Sequence, residues 1–276
     1  MRKRGFSIGA LSEIGYVKKT NQDRILIKIG EEAHGEFGLF VVADGMGGLA
    51  AGDKASEIVI GEFKNWWNTR LSIILNNGKK NSISIIDKEL DNLVFKINEK
   101  IIKFSQEINC RVGTTLSMLF IFKNKFIIKH VGDSRIYKIN KKMIKLTEDH
   151  SWVAEQVRQG IMSERDAVNH PKSHVLLQCI GVKERIELFR RTGEVLEEDV
   201  FLLCSDGFYN LLLKNEILDA VEEYKENDED IQNKVEKLME KVKTRGAVDN
   251  ASAILVYQNY DETKIGVLEK LKDLIG

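Results

Sequence analysis

Proline is nearly missing from this 276-residue chain: Pro171 stands alone, and no Ser/Gly-rich or low-complexity run accompanies it. With no linker signature there is nowhere to divide the sequence, and its length suits one two-layer α+β domain carrying an inserted lobe. Cysteine is scarce too. Cys110, Cys179 and Cys204 form neither a disulfide framework nor a zinc spacing, so they read as small buried hydrophobes in a reducing cytoplasm. Nor is there excess charge of either sign: 42 Lys+Arg balance 42 Asp+Glu. That balance excludes partners recruited by bulk charge, such as nucleic acid or an anionic membrane surface, and requires any phosphate recognition to be local. Met1-Arg2-Lys3-Arg4 opens like a signal peptide, but Ser7, Ser12 and Glu13 interrupt the apolar run that should follow. No stretch is long and apolar enough to span a bilayer, and no internal repeat is present.

What the chain does have is Val41-Val42-Ala43-Asp44-Gly45-Met46-Gly47-Gly48. The apolar residues read as a buried strand that ends at Asp44 in a tight glycine turn, with Leu49-Ala50-Ala51 compatible with a helix start. A carboxylate on a rigid strand end beside bare backbone suits a hard metal ion. The same Gly45-x-Gly47-x-x-Ala50 also fits a dinucleotide-binding fingerprint. Against it, Asp44 would repel the pyrophosphate, and the chain beyond lacks a second strand ending in a ribose-holding acid.

Four more acids stand at strand boundaries. Asp23 precedes a strand from Arg24 to Ile29, one that could pair near Asp44; a shorter strand runs from Phe6 to Ile8. Asp133 lies in Gly132-Asp133-Ser134-Arg135, where a plain hairpin turn is an equal reading. Asp206 follows the strand Val200 to Cys204, and Asp249 precedes the strand Ala253 to Tyr257. Between them Ile83, Ile86, Leu90, Leu93, Val94, Ile97, Ile101 and Phe104 recur at helical spacing, a core-packing face with no chemistry of its own. Gly113 to Phe122 and Phe126 to Val131 read as covered strands. Trp152 to Gln159, closed by Gly160, and the capping pattern Ser163-x-x-Asp166 predict two short helices that form a flap. His150, His170 and His174 fall there without zinc spacing.

Taken in order, Lys18-x-x-Asn21-Gln22-Asp23, Asp44-Gly45-Met46-Gly47-Gly48, Gly113-Thr114-Thr115, Gly132-Asp133-Ser134-Arg135, Leu146-Thr147-x-Asp149-His150-Ser151, Ser205-Asp206-Gly207 and Asp249-Asn250 resemble the motifs of the metal-dependent protein serine/threonine phosphatases of the PP2C (PPM) family. They span residues from about 15 to 257, and Met46 with Asn169-His170-Pro171 looks like the bacterial branch. The resemblance implies an α+β sandwich, two antiparallel β-sheets flanked by α-helices, over residues 1–258, with the flap at about 150–181 and a helical extension at 259–276. It implies Mn²⁺ or Mg²⁺, two or three ions. Asp44 would bridge two of them, with the Gly45 carbonyl on one and Asp206 and Asp249 on the other. Asp133 would help Asp206 hold a third, and Asp23 would position the attacking water. Ions roughly 3.5–4 Å apart can activate a bridging water and offset charge on a phosphoryl group, so no protein nucleophile is required.

Two departures stand out. Lys18 occupies a place where the family usually has arginine, and a point charge grips phosphate less specifically than a planar fork. Met46 stands where some members carry a histidine that can protonate the leaving alkoxide. The expected partners are phosphoserine/phosphothreonine proteins, together with a serine/threonine kinase that shares those substrates; the expected state is a cytoplasmic monomer. The rival class is a catalytically silent relative that binds phosphoproteins without hydrolysing them, although such a relative usually loses metal ligands and none is lost here.

Overall fold

The computed structural model describes residues 3–32, 35–47, 51–76, 82–168, 170–227 and 230–261. The chain begins with β1 (Lys3–Glu13), β2 (Asp23–Glu32) and β3 (Gly35–Gly47). A long helical stretch follows, α1 (Ala51–Trp66) leading through a π-helical segment (Trp67–Leu71) into α2 (Ser72–Asn76), and then α3 (Ser82–Glu107). Next come β4 (Val112–Thr114), β5 (Leu116–Phe122), β6 (Lys125–Val131), β7 (Arg135–Ile139) and β8 (Met143–Lys145). The flap contributes α4 (Trp152–Arg158) and α5 (Glu164–Val168), before β9 (Phe189–Glu194) and β10 (Val200–Cys204). The last elements are α6 (Asp206–Tyr209), α7 (Lys214–Asn227), α8 (Ile231–Thr244) and β11 (Ala251–Asp261).

The strands order as β8-β7-β10-β11-β1-β3-β5-β6-β9, with β2 and β4 both on β3. Each half of this path is antiparallel, and the halves meet where β1 and β3 pair in parallel at Arg4↔Gly35. They also face each other. Phe6 packs edge-on against Phe40 at 5.8 Å and Phe126 against Phe201 at 5.5 Å, within an apolar layer that includes Leu119 and Ile254. On the outside, α1 and α3 cover one half with Phe63, Leu90 and Ile97; α7 and α8 cover the other with Val221 and Leu238. The result is α-β-β-α layering. Its order follows from unbroken apolar runs in strands covered on both faces, such as β5, and from a period of three to four in α3, where Ile86, Leu90, Leu93, Val94, Ile97 and Ile101 are all buried. Among the described residues no helix is long and apolar enough to cross a membrane.

Four details differ from the sequence expectation. The strand carrying Asp44 does not end there but continues to Gly47, because β4 pairs with Gly45–Gly47. The expected strand Gly113 to Phe122 is broken at Thr115: Val42↔Ser117 and Gly45↔Thr114 keep one register, yet the Asp44 N–H turns aside to Thr115 Oγ1 at 3.0 Å. The two sheets form one hydrogen-bonded path, curled so that its halves stack. Finally, β11 extends to Asp261 in register with Lys3, past the expected boundary at 258. The helical tail expected beyond it lies, from residue 262, outside the described residues, as do Gly48 and Asn169.

Candidate active site

Register brings the acids together. Asp23 opens β2 directly opposite Asp44 on β3. Cys204 of β10 pairs with Ala253 of β11, so the segments just beyond, Ser205-Asp206 and Asp249-Ser252, meet at the same end of the sheets. The Ser205 N–H donates to the Ser252 carbonyl at 3.0 Å. Asp23 is buried at 2% exposure, and its Oδ2 accepts from Ser205 Oγ at 2.8 Å and Ser252 Oγ at 2.7 Å. Among the described residues its Oδ1 has no hydrogen-bond partner. Burial drives its pKa up to about 6, the Asp206 and Asp249 charges add to the rise, and the two serine hydroxyls oppose it.

Asp44 sits in the gap of the β3 ladder. Its carbonyl accepts from Thr115 N at 2.9 Å and Thr114 Oγ1 at 3.0 Å, which fixes its backbone from two sides. Burial raises its carboxyl well above the ordinary range, and so do the charges of Asp23, Asp206, Asp133 and Asp249. Asp206 is raised by burial and by the Asp249 charge, while the Gly207 N–H, a contact with the Asp44 side chain and the charge of Lys18 oppose the rise. Gly45 must be glycine, since a Cβ there would lie 2.2 Å from the Gly52 carbonyl at the start of α1.

Asp133 is held by its turn. Gly132 has φ +115 and a Cβ on it would strike Thr115 at 2.7 Å, so the chain reverses tightly against β5. Behind the turn lies a buried polar chain: Thr115 Oγ1 to Ser134 Oγ at 2.7 Å, Ser117 Oγ to the Ser134 carbonyl at 3.0 Å, and Ser117 Oγ to His130 Nδ1 at 2.9 Å. His130 Nε2 lies 3.0 Å from both the Gly132 and Glu148 carbonyls, so it carries the ring proton. Burial pushes that imidazole down to about 3. Asp149, by contrast, leaves the acid cluster. Arg135 grips it through Nε and Nη2 at 3.0 and 2.7 Å, and Lys145 adds a third contact at 3.1 Å, so its carboxyl stays below the usual range despite burial.

The flap is fastened at both ends to these turns. The His150 N–H donates to the Gly132 carbonyl at 2.7 Å, and Ile180 exchanges backbone hydrogen bonds with Thr114 at 2.9 and 3.0 Å. His150 also accepts the Gly132 N–H at 3.2 Å, and His170 stacks near Trp152, 5.0 Å between rings; both are structural contacts.

Lys18 reaches into the cluster, with Nζ 2.8 Å from Asp249 Oδ1. Burial lowers its pKa, but Asp249, Asp44 and Asp206 outweigh that and leave it raised. Sequence reasoning assigned Lys18 to phosphate; here its ammonium neutralises a candidate metal ligand. Sequence reasoning also missed the serines that hold Asp23. Ser205 and Ser252 each lie within three residues of a named acid, but only the β10–β11 register shows that both aim at Asp23.

Among the described residues, five carboxylates face the one ammonium of Lys18 and leave a concentrated negative charge, since Arg135 is already matched by Asp149. Such a set is stable as anions only with cations among them, and an all-oxygen donor set suits Mg²⁺ or Mn²⁺. Among the described residues no three His, Cys, Asp or Glu side chains form a ready-made cage around one point. The unpartnered Asp23 Oδ1 and the crowding of Asp44 by four other carboxylates fit cations held among them. A hollow of about 330 Å³ elsewhere, between the start of α3 and β6 and β9, touches none of these acids.

The profile of the family described as Protein phosphatase 2C matches residues 16–250. The serine/threonine phosphatase stp of Listeria welshimeri is 32% identical over 224 residues, 80% of this chain and 84% of the relative. Among solved structures, the S. agalactiae serine/threonine phosphatase superposes with a TM-score of 0.78 at 29% identity, covering 92% of this chain and 99% of that one. The catalytic domain of the phosphatase PstP, solved in complex with two manganese ions, shares the fold at a TM-score of 0.76 and 24% identity, covering 93% and 99%.

Proposed function

The chain belongs to the protein phosphatase 2C family of metal-dependent serine/threonine phosphatases, and from that premise we propose how its own residues divide the work of hydrolysing phosphoserine and phosphothreonine in proteins. The observation that carries the reading is the convergence of Asp23, Asp44, Asp133, Asp206 and Asp249 from five separate chain segments onto one end of the stacked sheets, all within electrostatic reach of Asp44.

In this reading Asp44, the Gly45 carbonyl, Asp206 and Asp249 would hold two Mn²⁺ or Mg²⁺ ions, and Asp133 with Asp206 would hold a third. The ions supply acidification of water and compensation of the charge that develops on the phosphoryl group. Asp23 orients the attacking water through Oδ1, because Oδ2 is already engaged by Ser205 and Ser252. Lys18, 40% exposed, swings between Asp249 and the substrate phosphate. Met46 has no proton to give, so the leaving alkoxide takes its proton from water. Asp149 and Arg135 keep the Asp133 turn in place without touching substrate.

The family match over 16–250, and a sheet that joins β1 to β11, support reading 1–258 as one phosphatase unit, with β11 continuing three residues further. In our reading the chain is also a cytoplasmic monomer that opposes a serine/threonine kinase on shared substrates; the three free cysteines suit a reducing compartment. The test is metal-dependent release of phosphate from a phosphothreonine peptide. Turnover with Mn²⁺ that chelator abolishes is the expected result; turnover indifferent to chelator contradicts the assignment.

A further inference from the structure

Two loops form the rim beside Lys18 and Asp249, and both turn apolar side chains outward. The segment Ile14–Lys18 lies directly on the segment Ala247–Asn250: the Tyr16 N–H donates to the Ala247 carbonyl at 2.8 Å, and a Cβ on Gly15 would lie 2.2 Å from the Asp249 carbonyl. Inward, Ala247 and Asn250 are buried. Outward, Tyr16 is 72% exposed, Val17 70% and Val248 63%. A single exposed aliphatic residue needs no explanation, but three on two hydrogen-bonded loops make a local apolar surface.

The chain itself ties this surface to the chemistry. Val17 is bonded to Lys18, Val248 is bonded to Asp249, and the Lys18–Asp249 ion pair closes the two loops at 2.8 Å. A phosphorylated side chain that reaches Lys18 therefore brings its own neighbours over Tyr16, Val17 and Val248, because successive residues of an extended peptide advance by only about 3.5 Å. We propose that Tyr16, Val17 and Val248 form a docking lip for the polypeptide beside the phosphorylated residue, so that the enzyme favours phosphoserine and phosphothreonine flanked by aliphatic or aromatic side chains. The proposal rests on the phosphatase reading above and adds a substrate class to it.

The test uses the full chain with saturating Mn²⁺ and three substrates: p-nitrophenyl phosphate, a phosphothreonine peptide with leucines on both sides, and the same peptide with serines there. The wild type should show kcat/KM about tenfold higher for the leucine peptide, the discrimination expected of one partly buried aliphatic contact. In the Tyr16→Ser/Val248→Ser variant the two peptides should become equivalent through a rise in KM, with p-nitrophenyl phosphate turnover unchanged. Equal use of both peptides by the wild type, or a preference that survives in the variant, overturns the lip while leaving the phosphatase intact. So does a variant that loses p-nitrophenyl phosphate and peptide turnover equally. No turnover of any substrate overturns the phosphatase reading and the lip with it.

Discussion

Asp23 binds its last proton far more tightly in the fold than an exposed carboxyl does, and that fact has a measurable sign. Its folded pKa is about 6 against an ordinary 3.8, so between those values the folded chain holds a proton that the unfolded chain has released. The associated stability is full below pH 3.8 and is lost as pH rises through 6. Asp44 and Asp133 are raised as well and act in the same direction. His130 works the other way: with its folded value lowered from 6.5 to about 3, its contribution is present above 6.5 and lost on acidification. The raw melting curve mixes the two, whereas the rise in Tm on adding Mn²⁺ isolates the acids. That rise should be larger at about pH 7.5 than at about pH 5; an equal or smaller rise contradicts the cation assignment. At Lys18, arginine should lower KM for a phosphothreonine peptide by a few-fold through bidentate contact, and an unchanged KM contradicts the role given to this position. The acids were legible in the sequence because each stands at the boundary of an apolar strand. Ser205 and Ser252 were not, because a hydroxyl next to an acid has no meaning until two strands are placed side by side.

Among the elements, the β3 ladder shows how a site is built into a sheet. The Asp44 N–H leaves its main-chain partner for Thr115 Oγ1, while the register from Val42↔Ser117 to Gly45↔Thr114 stays intact. No periodicity reports such a substitution, which is why the strand appeared to end at Asp44. The long helices and the covered strands were legible, since periods of three to four and unbroken apolar runs are strong signals. Three-residue β8 was not, being too short to show a period. The turn between β6 and β7 yields a sharper test. Gly132→Ala should destabilise the fold by about 1–3 kcal/mol in chemical denaturation, because φ +115 and the 2.7 Å approach to Thr115 leave no room for a side chain. Removing the flap's cap with Ser151→Ala should take away about 1 kcal/mol, since Ser151 Oγ accepts the Ala154 N–H at 3.3 Å.

For the whole molecule, two antiparallel halves stack through one apolar layer, and the acids collect from both at a single end. Asp23 and Asp44 come from one half, Asp206 and Asp249 from the other, so cations bound there tie the halves together. Phe40→Ala, which empties the layer between them, should destabilise by about 3–5 kcal/mol. The protein should also melt at higher temperature with Mn²⁺ than with chelator, by mass action on the folded state; identical melting contradicts the account. The most direct measurement is phosphate release from an aryl phosphate and a phosphothreonine peptide with Mn²⁺, with Mg²⁺ and with chelator, comparing wild type with Asp206→Asn. The account predicts turnover that requires the metal and falls by on the order of 10²-fold or more in the variant. No turnover with either metal, or full activity in Asp206→Asn, would contradict it, the first outcome pointing instead to a silent relative that binds phosphoproteins without cleaving them.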